Sequence, residues 1–309
     1  MIVTVTLNPM LDKTVYVSRV RRGKIERASE VTMTVGGKGV NVSRQLKVLG
    51  CPTLAMGCWG GEVADLLERL LEAEGISHSF IRVGGRTREG VTYRESDGTM
   101  TAVFEPPHNV TRKEAGLLVA ACRRRLRVSS WVVCSGSSPC TQADDVFARI
   151  LLAAARAGVP SVLDSYGEAL RLGLAGRPTM VKFNRSECEL TYGRRTRTIG
   201  DLRTLCRQIF RGGASCCVVT DGPRPAFGLS RSGIWKIIPP RVKTVNPTGS
   251  GDGMLAGILY GMVQGWAFDS CLAYGAAAGA ANAERWEVAS SSKRRIGELL
   301  RAVVVRRIR

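Results

Sequence analysis

Apolar and polar positions alternate along this chain with two periods, and the period changes with location. Met1-Ile2-Val3-Thr4-Val5-Thr6-Leu7 follows the two-residue rhythm of a strand. From about residue 111 onward the pattern swings regularly between helix and strand. Thr111-x-x-Glu114 is a capping box that opens a helix running to about Leu126, and Ser130–Cys134 reads as a buried strand. A helix at about 141–157 stops at Gly158, and Pro160–Asp164 forms the next strand. Further strands are expected at Thr179–Phe183 and Ser215–Thr220, with helices at about 184–192 and 199–211. Helices at about 251–264, 269–284 and 293–307 complete the expectation. Strand following helix in this way implies an α/β fold, a mainly parallel sheet covered on both faces.

The first hundred residues differ. Segments 13–35 and 86–105 look like short alternating strands, with a hairpin around Ser96-Asp97-Gly98, whereas helices at about 40–49 and 62–74 belong to the main body. The organisation expected is one domain over 1–309, with a small β-sheet lid built from about 13–35 and 86–107. A lid of this kind would exclude water, and its exposed edge offers a surface that a second subunit could cover.

Composition narrows the function classes. The 309 residues are 44% hydrophobic with scattered charge, as in a folded globular protein. No apolar run approaches the ~18 residues of a membrane span, and no basic, apolar leader is visible at the start, so a cytoplasmic protein is expected. The ten cysteines show no Cys-x-x-Cys spacing and there are only two histidines, His78 and His108, which points to reduced, buried thiols rather than zinc. A formal charge of +19 raises the possibility of nucleic-acid binding. The basic runs Arg123–Arg127, Arg194–Arg197 and Arg306–Arg309 lack interleaved aromatics, however, and read better as solvated faces.

Two glycine-rich motifs carry the candidate chemistry. Asn246-Pro-Thr-Gly-Ser-Gly-Asp252 leads into the apolar run Gly253–Leu259. Its glycines let backbone amides converge on one point, and a helix starting there adds its positive end, so the segment reads as an anion cradle. Asp252 at its lip is misplaced for simply holding phosphate, but suited to taking a proton from a hydroxyl that attacks one. A turn with an N-cap is the alternative reading. The second motif, Gly36-Gly37-Lys38-Gly39-Val40-Asn41, offers close backbone approach, a positive point charge and an amide that can both donate and accept. It matches neither a Walker A loop nor a Gly-x-Gly-x-x-Gly fingerprint.

These two motifs resemble the hallmarks of the ribokinase-like (PfkB) carbohydrate kinase family. Gly136-Ser137, Leu163-Asp164-Ser165, Lys182-Phe183-Asn184-x-x-Glu187 and Thr220-Asp221-Gly222-Pro223 fall between them in the family's order. Thr6–Asp12, Lys38 and Thr87-Arg88 are similar to the branch acting on phosphorylated ketohexoses, the 1-phosphofructokinases, tagatose-6-phosphate kinases and minor 6-phosphofructokinases. The resemblance implies a ribokinase-like three-layer α/β/α fold and transfer of the γ-phosphoryl group of ATP, with Mg²⁺, to a sugar phosphate. It implies that Asp12, Gly37 and Asn41 bind sugar hydroxyls and that Lys38 and Arg88 bind the existing phosphate. Asp252 would be the base, with the amides of Gly249, Ser250 and Gly251 stabilising the transferred group. Lys182, Asn184 and Glu187 would serve nucleotide and magnesium, Glu187 through water, while Thr220, Gly222 and Gly279 would line the ATP pocket. Three departures stand out: Asn246 where many relatives have Asp, Pro225 for a frequent glycine, and a Met100–Pro107 segment without the arginine of some 6-phosphofructokinases. A kinase of unphosphorylated sugars or nucleosides, and a basic nucleic-acid-binding protein on a kinase-like fold, are the rival readings.

Overall fold

The computed structural model describes every residue except Arg194, Arg195, Arg197 and Arg309, so those members of the second and third basic runs lie outside the described residues. In chain order the first half comprises β1 (Ile2–Thr6), β2 (Met10–Val17), β3 (Glu30–Gly36), α1 (Lys38–Val48), β4 (Thr53–Gly60), α2 (Val63–Ala73), β5 (His78–Val83), β6 (Glu89–Glu95), β7 (Met100–Phe104) and α3 (Arg112–Arg125). There follow β8 (Trp131–Ser135), α4 (Val146–Arg156), β9 (Ser161–Asp164), α5 (Gly167–Gly173), β10 (Met180–Asn184), α6 (Arg185–Tyr192), α7 (Ile199–Arg211) and β11 (Cys216–Thr220). The chain closes with β12 (Ala226–Ser230), β13 (Gly233–Ile238), α8 (Ser250–Val263), α9 (Phe268–Ala283), α10 (Lys293–Leu300) and β14 (Val304–Ile308).

Ten strands form one sheet in the order β14-β13-β12-β11-β10-β9-β8-β1-β4-β5. It is parallel from β5 to β11 and antiparallel across β12, β13 and β14. Alternation along each strand splits the core into two apolar layers, as the pleat requires. Val3, Val5, Val132, Cys134, Val181 and Phe183 face α3, α4, α5 and α7. Ile2, Val133, Val162, Met180 and Val218 face α1, α8 and α9. This is the ribokinase-like three-layer α/β/α architecture that the sequence led us to expect. A separate four-stranded sheet, β3-β2-β6-β7, pairs β2 with β6 in parallel and the others antiparallel. The Ser96–Gly98 hairpin connects β6 to β7 as expected.

The helix expected over 293–307 is corrected. It ends at Leu300, and Val304–Ile308 form a strand paired antiparallel with β13, Ile308 opposite Ile234. The β-branched run Val303-Val304-Val305 suits a sheet edge better than a helix, and only the neighbouring strand supplies the bonds that realise it. The helix expected at 141–157 is also shorter, a 3₁₀ turn at Thr141–Ala143 preceding α4. All ten cysteines are free thiols, nine of them buried. Arg123, Arg124, Arg125 and Arg127 are exposed around buried Leu126, an ordinary solvated helix end.

Candidate active site

The polar side chains that matter gather where the parallel strands end, at their carboxyl edges. This is where open α/β sheets place ligands, since helix N-termini and loops converge there. β9 ends in Asp164, β8 in Ser135 and β10 in Asn184, while α1 and α8 begin nearby with Lys38 and Ser250. Helix α1 can start so close to β1 because Gly39 has no side chain: a Cβ there would stand 2.4 Å from Thr6 Oγ1, the oxygen that accepts the Val40 N–H at 3.1 Å.

Asp252 sits in the first turn of α8 and is 5% exposed. Its Oδ2 accepts a hydrogen bond from Asn41 Nδ2 at 2.7 Å, although 211 residues separate the two. Arg44 donates to Asn41 Oδ1 at 2.8 Å and so fixes the amide with its NH₂ toward the carboxylate. Burial raises the Asp252 pKa to about 6, and the nearby Asp164 charge adds to this, while Lys38, Lys182 and the Asn41 bond pull the other way. A carboxyl titrating near 6 is poised for proton transfer at neutral pH.

Asp164 is fully buried and remains a carboxylate. Burial would raise its pKa, but Lys182 and Lys38, together with a 3.0 Å bond from Ser135 Oγ, hold it below the ordinary value. Lys182 Nζ lies 3.2 Å from Asp164 Oδ1 and Lys38 Nζ 3.5 Å. Lys38 also donates to Glu187 Oε1. Burial alone would weaken its hold on a proton, yet Asp164, Glu187 and Asp252 outweigh it and keep it a cation. Glu187 has a further duty: its Oε2 accepts the Asn184 N–H at 2.9 Å while Asn184 Oδ1 accepts the Glu187 N–H at 2.8 Å, a capping box on α6.

The cradle before α8 depends on Gly249, whose φ of +76° is costly for a side chain. The Ser250 amide turns back onto Pro247 O at 3.2 Å, whereas the amides of Gly251 and Asp252 are, among the described residues, the open N–H groups of a helix start. Lys182 points at this turn, since a Cβ on Gly251 would lie 3.3 Å from its Nζ. Asn282 of α9 braces the cradle by donating to Thr248 O at 2.8 Å and Ser250 Oγ at 3.1 Å.

Asp252, Asn41, Lys38, Lys182, Asn184, Glu187 and Gly249–Gly251 therefore share one site, with Gly37 packed on Thr6 and Pro9 beside it. Asp12 on β2 and Arg88 immediately before β6 come together at one end of the site. Burial raises the Asp12 pKa against the opposing charges of Arg44 and Arg88. Thr220 ends β11 next to Asn184, and Gly222 follows in a left-handed turn with φ +57°. Gly279 is a helix-packing position, where a Cβ would stand 2.8 Å from Ser250 O. Sequence reasoning did not single out Asp164, Ser135, Arg44 or Asn282 as site residues. A charge closing the buried strand β9 and an amide inside the alanine-rich α9 were the available signals.

Two departures acquire a structural meaning. Asn246 donates to Trp286 O at 2.9 Å and accepts the Thr248 N–H at 3.0 Å, bridging two loops as a carboxylate could not. Pro225 borders a cavity of about 690 Å³ with Arg185, Asp221, Arg224, Phe227 and Lys236, between the start of α6 and the loop after β11. Asp221 is clamped there by Arg224 at 2.6 and 2.9 Å and by Arg185 at 3.1 Å.

The profile of the pfkB family carbohydrate kinases matches residues 5–295, nearly the whole chain. The chain belongs to the pfkB family. A possible 1-phosphofructokinase from Thermotoga maritima is 26% identical, each chain covering 100% of the other, with a TM-score of 0.90. A putative phosphofructokinase from Staphylococcus aureus is also 26% identical over 100% of this chain and 99% of that one, at 0.84. Phosphofructokinase-2 from Escherichia coli in complex with fructose-6-phosphate is 26% identical over 97% and 98%, at 0.86. As a pfkB kinase the chain is an ATP-dependent sugar kinase, a phosphotransferase with an alcohol group as acceptor and phosphofructokinase-like in structure. Among the described residues no helix is long and apolar enough to cross a membrane.

Proposed function

We propose that this kinase phosphorylates a ketohexose that already carries a phosphate, fructose 1-phosphate, tagatose 6-phosphate or fructose 6-phosphate, with Asp252 as general base. The observation that carries the reading is the meeting of Asp252 and Asn41 at 2.7 Å, in a buried site that also holds Lys38 and Lys182. A base, a hydroxyl-binding amide and two cations are what the transfer needs, because its loose transition state asks for positioning and charge stabilisation rather than covalent help.

When bound, ATP supplies the phosphoryl group and Mg²⁺ offsets its charge. The chain's own residues do the rest. Asn41 and Asp12 orient the acceptor hydroxyls beside the Gly37 backbone, and Asp252 removes the proton of the attacking one. The amides of Gly249 and Gly251 face the charge that develops on the transferred group, whereas the Ser250 amide, expected to join them, is given to Pro247 O. Lys182 adds a cation at the same point, held in place by Asp164. Asn184 and Glu187 meet the nucleotide side, where Glu187 would serve magnesium through water, and Thr220 and Gly222 would border the nucleotide. The donor set fits these roles, since two lysines and open helix-start amides surround the place where anionic oxygens would lie. Arg88 and Lys38 receive the acceptor's phosphate, Lys38 exchanging its contact with Glu187 for the new anion.

The β3-β2-β6-β7 sheet acts as the lid that keeps water from the reaction. Its exposed Val31, Met33 and Val103 share one side of the sheet and offer an apolar face to a second copy, so a homodimer through the lid is the assembly we propose. We place the enzyme in the cytoplasm, where ATP and sugar phosphates are found together. ATP consumption measured with the three ketohexose phosphates, and with free fructose, tagatose and ribose, tests the assignment. Preference for a phosphorylated ketohexose supports it, whereas equal turnover of a free sugar refutes it. Salt-sensitive nucleic-acid binding without ATP consumption would instead favour the binding-protein reading.

A further inference from the structure

In the connection between β7 and α3 the chain buries His108 to 4% exposure. Neither ring nitrogen of His108 has a hydrogen-bond partner in the protein. Buried polar groups are nearly always paired, and one left unpaired costs more than its bond would have gained, so such an atom calls for an explanation.

It is not isolated. Arg88 is among the charges that act on the imidazole, and Arg88 Nε is itself buried without a partner. One Arg88 Nη reaches only the Asn8 carbonyl, at 3.4 Å. Asn8 in turn donates to Ser137 Oγ at 3.1 Å while its own Oδ1 is unpaired. Thus three separate segments leave buried polar atoms unpaired around Arg88, at the end of the site where Asp12 stands.

Glu114, the other charge acting on His108, is already engaged. Its Oε1 accepts the Gly84 N–H at 2.7 Å and its Oε2 the Thr111 N–H at 2.8 Å. The Met100–Pro107 segment contains no basic residue, so His108 carries the first side-chain nitrogen that this connection presents.

We propose that His108 is a ligand of the phosphate already present on the acceptor, acting beside Arg88, and thereby helps select a phosphorylated sugar over a free one. This rests on the acceptor class proposed above. Burial first, and Arg88 after it, depress the His108 pKa to about 4 against the opposing pull of Glu114, so the ring is neutral at pH 7. A neutral imidazole offers one N–H to a phosphate oxygen and adds no cation beside Arg88. The arrangement supplies direction where Arg88 supplies charge.

Having only two histidines makes the test direct. In the full-length protein labelled at histidine, the ring resonances are followed by NMR while inorganic phosphate, fructose 1-phosphate, fructose 6-phosphate or tagatose 6-phosphate is added. The His108 signals are expected to move on binding and those of His78 to stay. His108→Phe, which keeps the ring volume but removes the donor, is expected to raise KM for the phosphorylated acceptor by about 10-fold or more, while KM for ATP changes by less than about 2-fold. His108→Asn, which restores a donor, should recover part of the loss. Ring signals that remain fixed with all four probes overturn the inference, and so does an acceptor KM unchanged in His108→Phe. Failure of the acceptor class shows separately, as a wild-type enzyme that turns over free sugars as well as phosphorylated ones.

Discussion

Replacing Asn41 by Leu removes a donor to Asp252 without opening space for water, and the consequence can be worked out in advance. The bond is 2.7 Å long, buried, and directed by Arg44 from behind. A hydrogen bond to a charged acceptor contributes about 1.5–3 kcal/mol, and one pKa unit corresponds to about 1.4 kcal/mol, so the carboxyl should move by about 1–2 units. The sign follows from which form loses the partner. Only the carboxylate profits from the donor, so its loss tightens proton binding and raises the pKa from about 6 to about 7–8. The base is active when deprotonated, and the rising limb of the pH profile therefore shifts toward alkali. Initial rates of ADP release at limiting acceptor, from pH 5 to 9, give kcat/KM, whose limb reports the free enzyme. Lost acceptor binding lowers the whole profile without moving its midpoint. A limb that stays near 6, or moves toward acid, would show that the titrating group is not the Asp252 carboxyl held by Asn41.

Three further perturbations test other parts of the site. Asp252→Asn should lower kcat by about 10²–10⁴-fold, the usual worth of a general base, while ATP binding measured by calorimetry persists; near-normal turnover would remove Asp252 from that role. Gly249→Ala brings a Cβ to 2.2 Å from Val288 Cγ1 at a φ of +76°, so a lower melting temperature and a kcat loss of about 10–100-fold are expected. Adding Val288→Ala should restore part of the melting temperature, and no recovery would refute the clash. Trp286→Ala removes the ring lying 4.2 Å from the Arg94 guanidinium, which with Tyr16 ties the small sheet to the loop after α9. At about 0.5–2 kcal/mol for such a contact, ATP hydrolysis without acceptor should rise about 2–30-fold relative to transfer; an unchanged ratio would deny the sheet a water-excluding role.

Much of the site was legible because its chemistry is encoded locally. Gly249 and Gly37 announce themselves because the backbone there has φ values of +76° and +136°, which few other residues adopt at little cost. The Thr111–Glu114 and Asn184–Glu187 boxes are local as well, since both partners of each lie within one helical turn. His108 carried no such signal, because an orphaned imidazole is defined by what surrounds it and not by its neighbours in the chain. The segment Val304–Ile308 reads as helix in the sequence yet forms a strand for a related reason: its hydrogen bonds come from β13, some seventy positions earlier.

By itself the sequence determined the periods of its helices and strands, the places where only glycine fits, and the residue types available for phosphoryl transfer. These follow from local sterics and from side-chain chemistry. The tertiary structure alone decided that Asn41 meets Asp252 across 211 residues, that Asp164 pairs with both Lys38 and Lys182, and that three strands extend the parallel sheet antiparallel. The reason is physical: electrostatic energies and pKa values depend on distance and burial, and neither exists until segments remote in the chain have packed together.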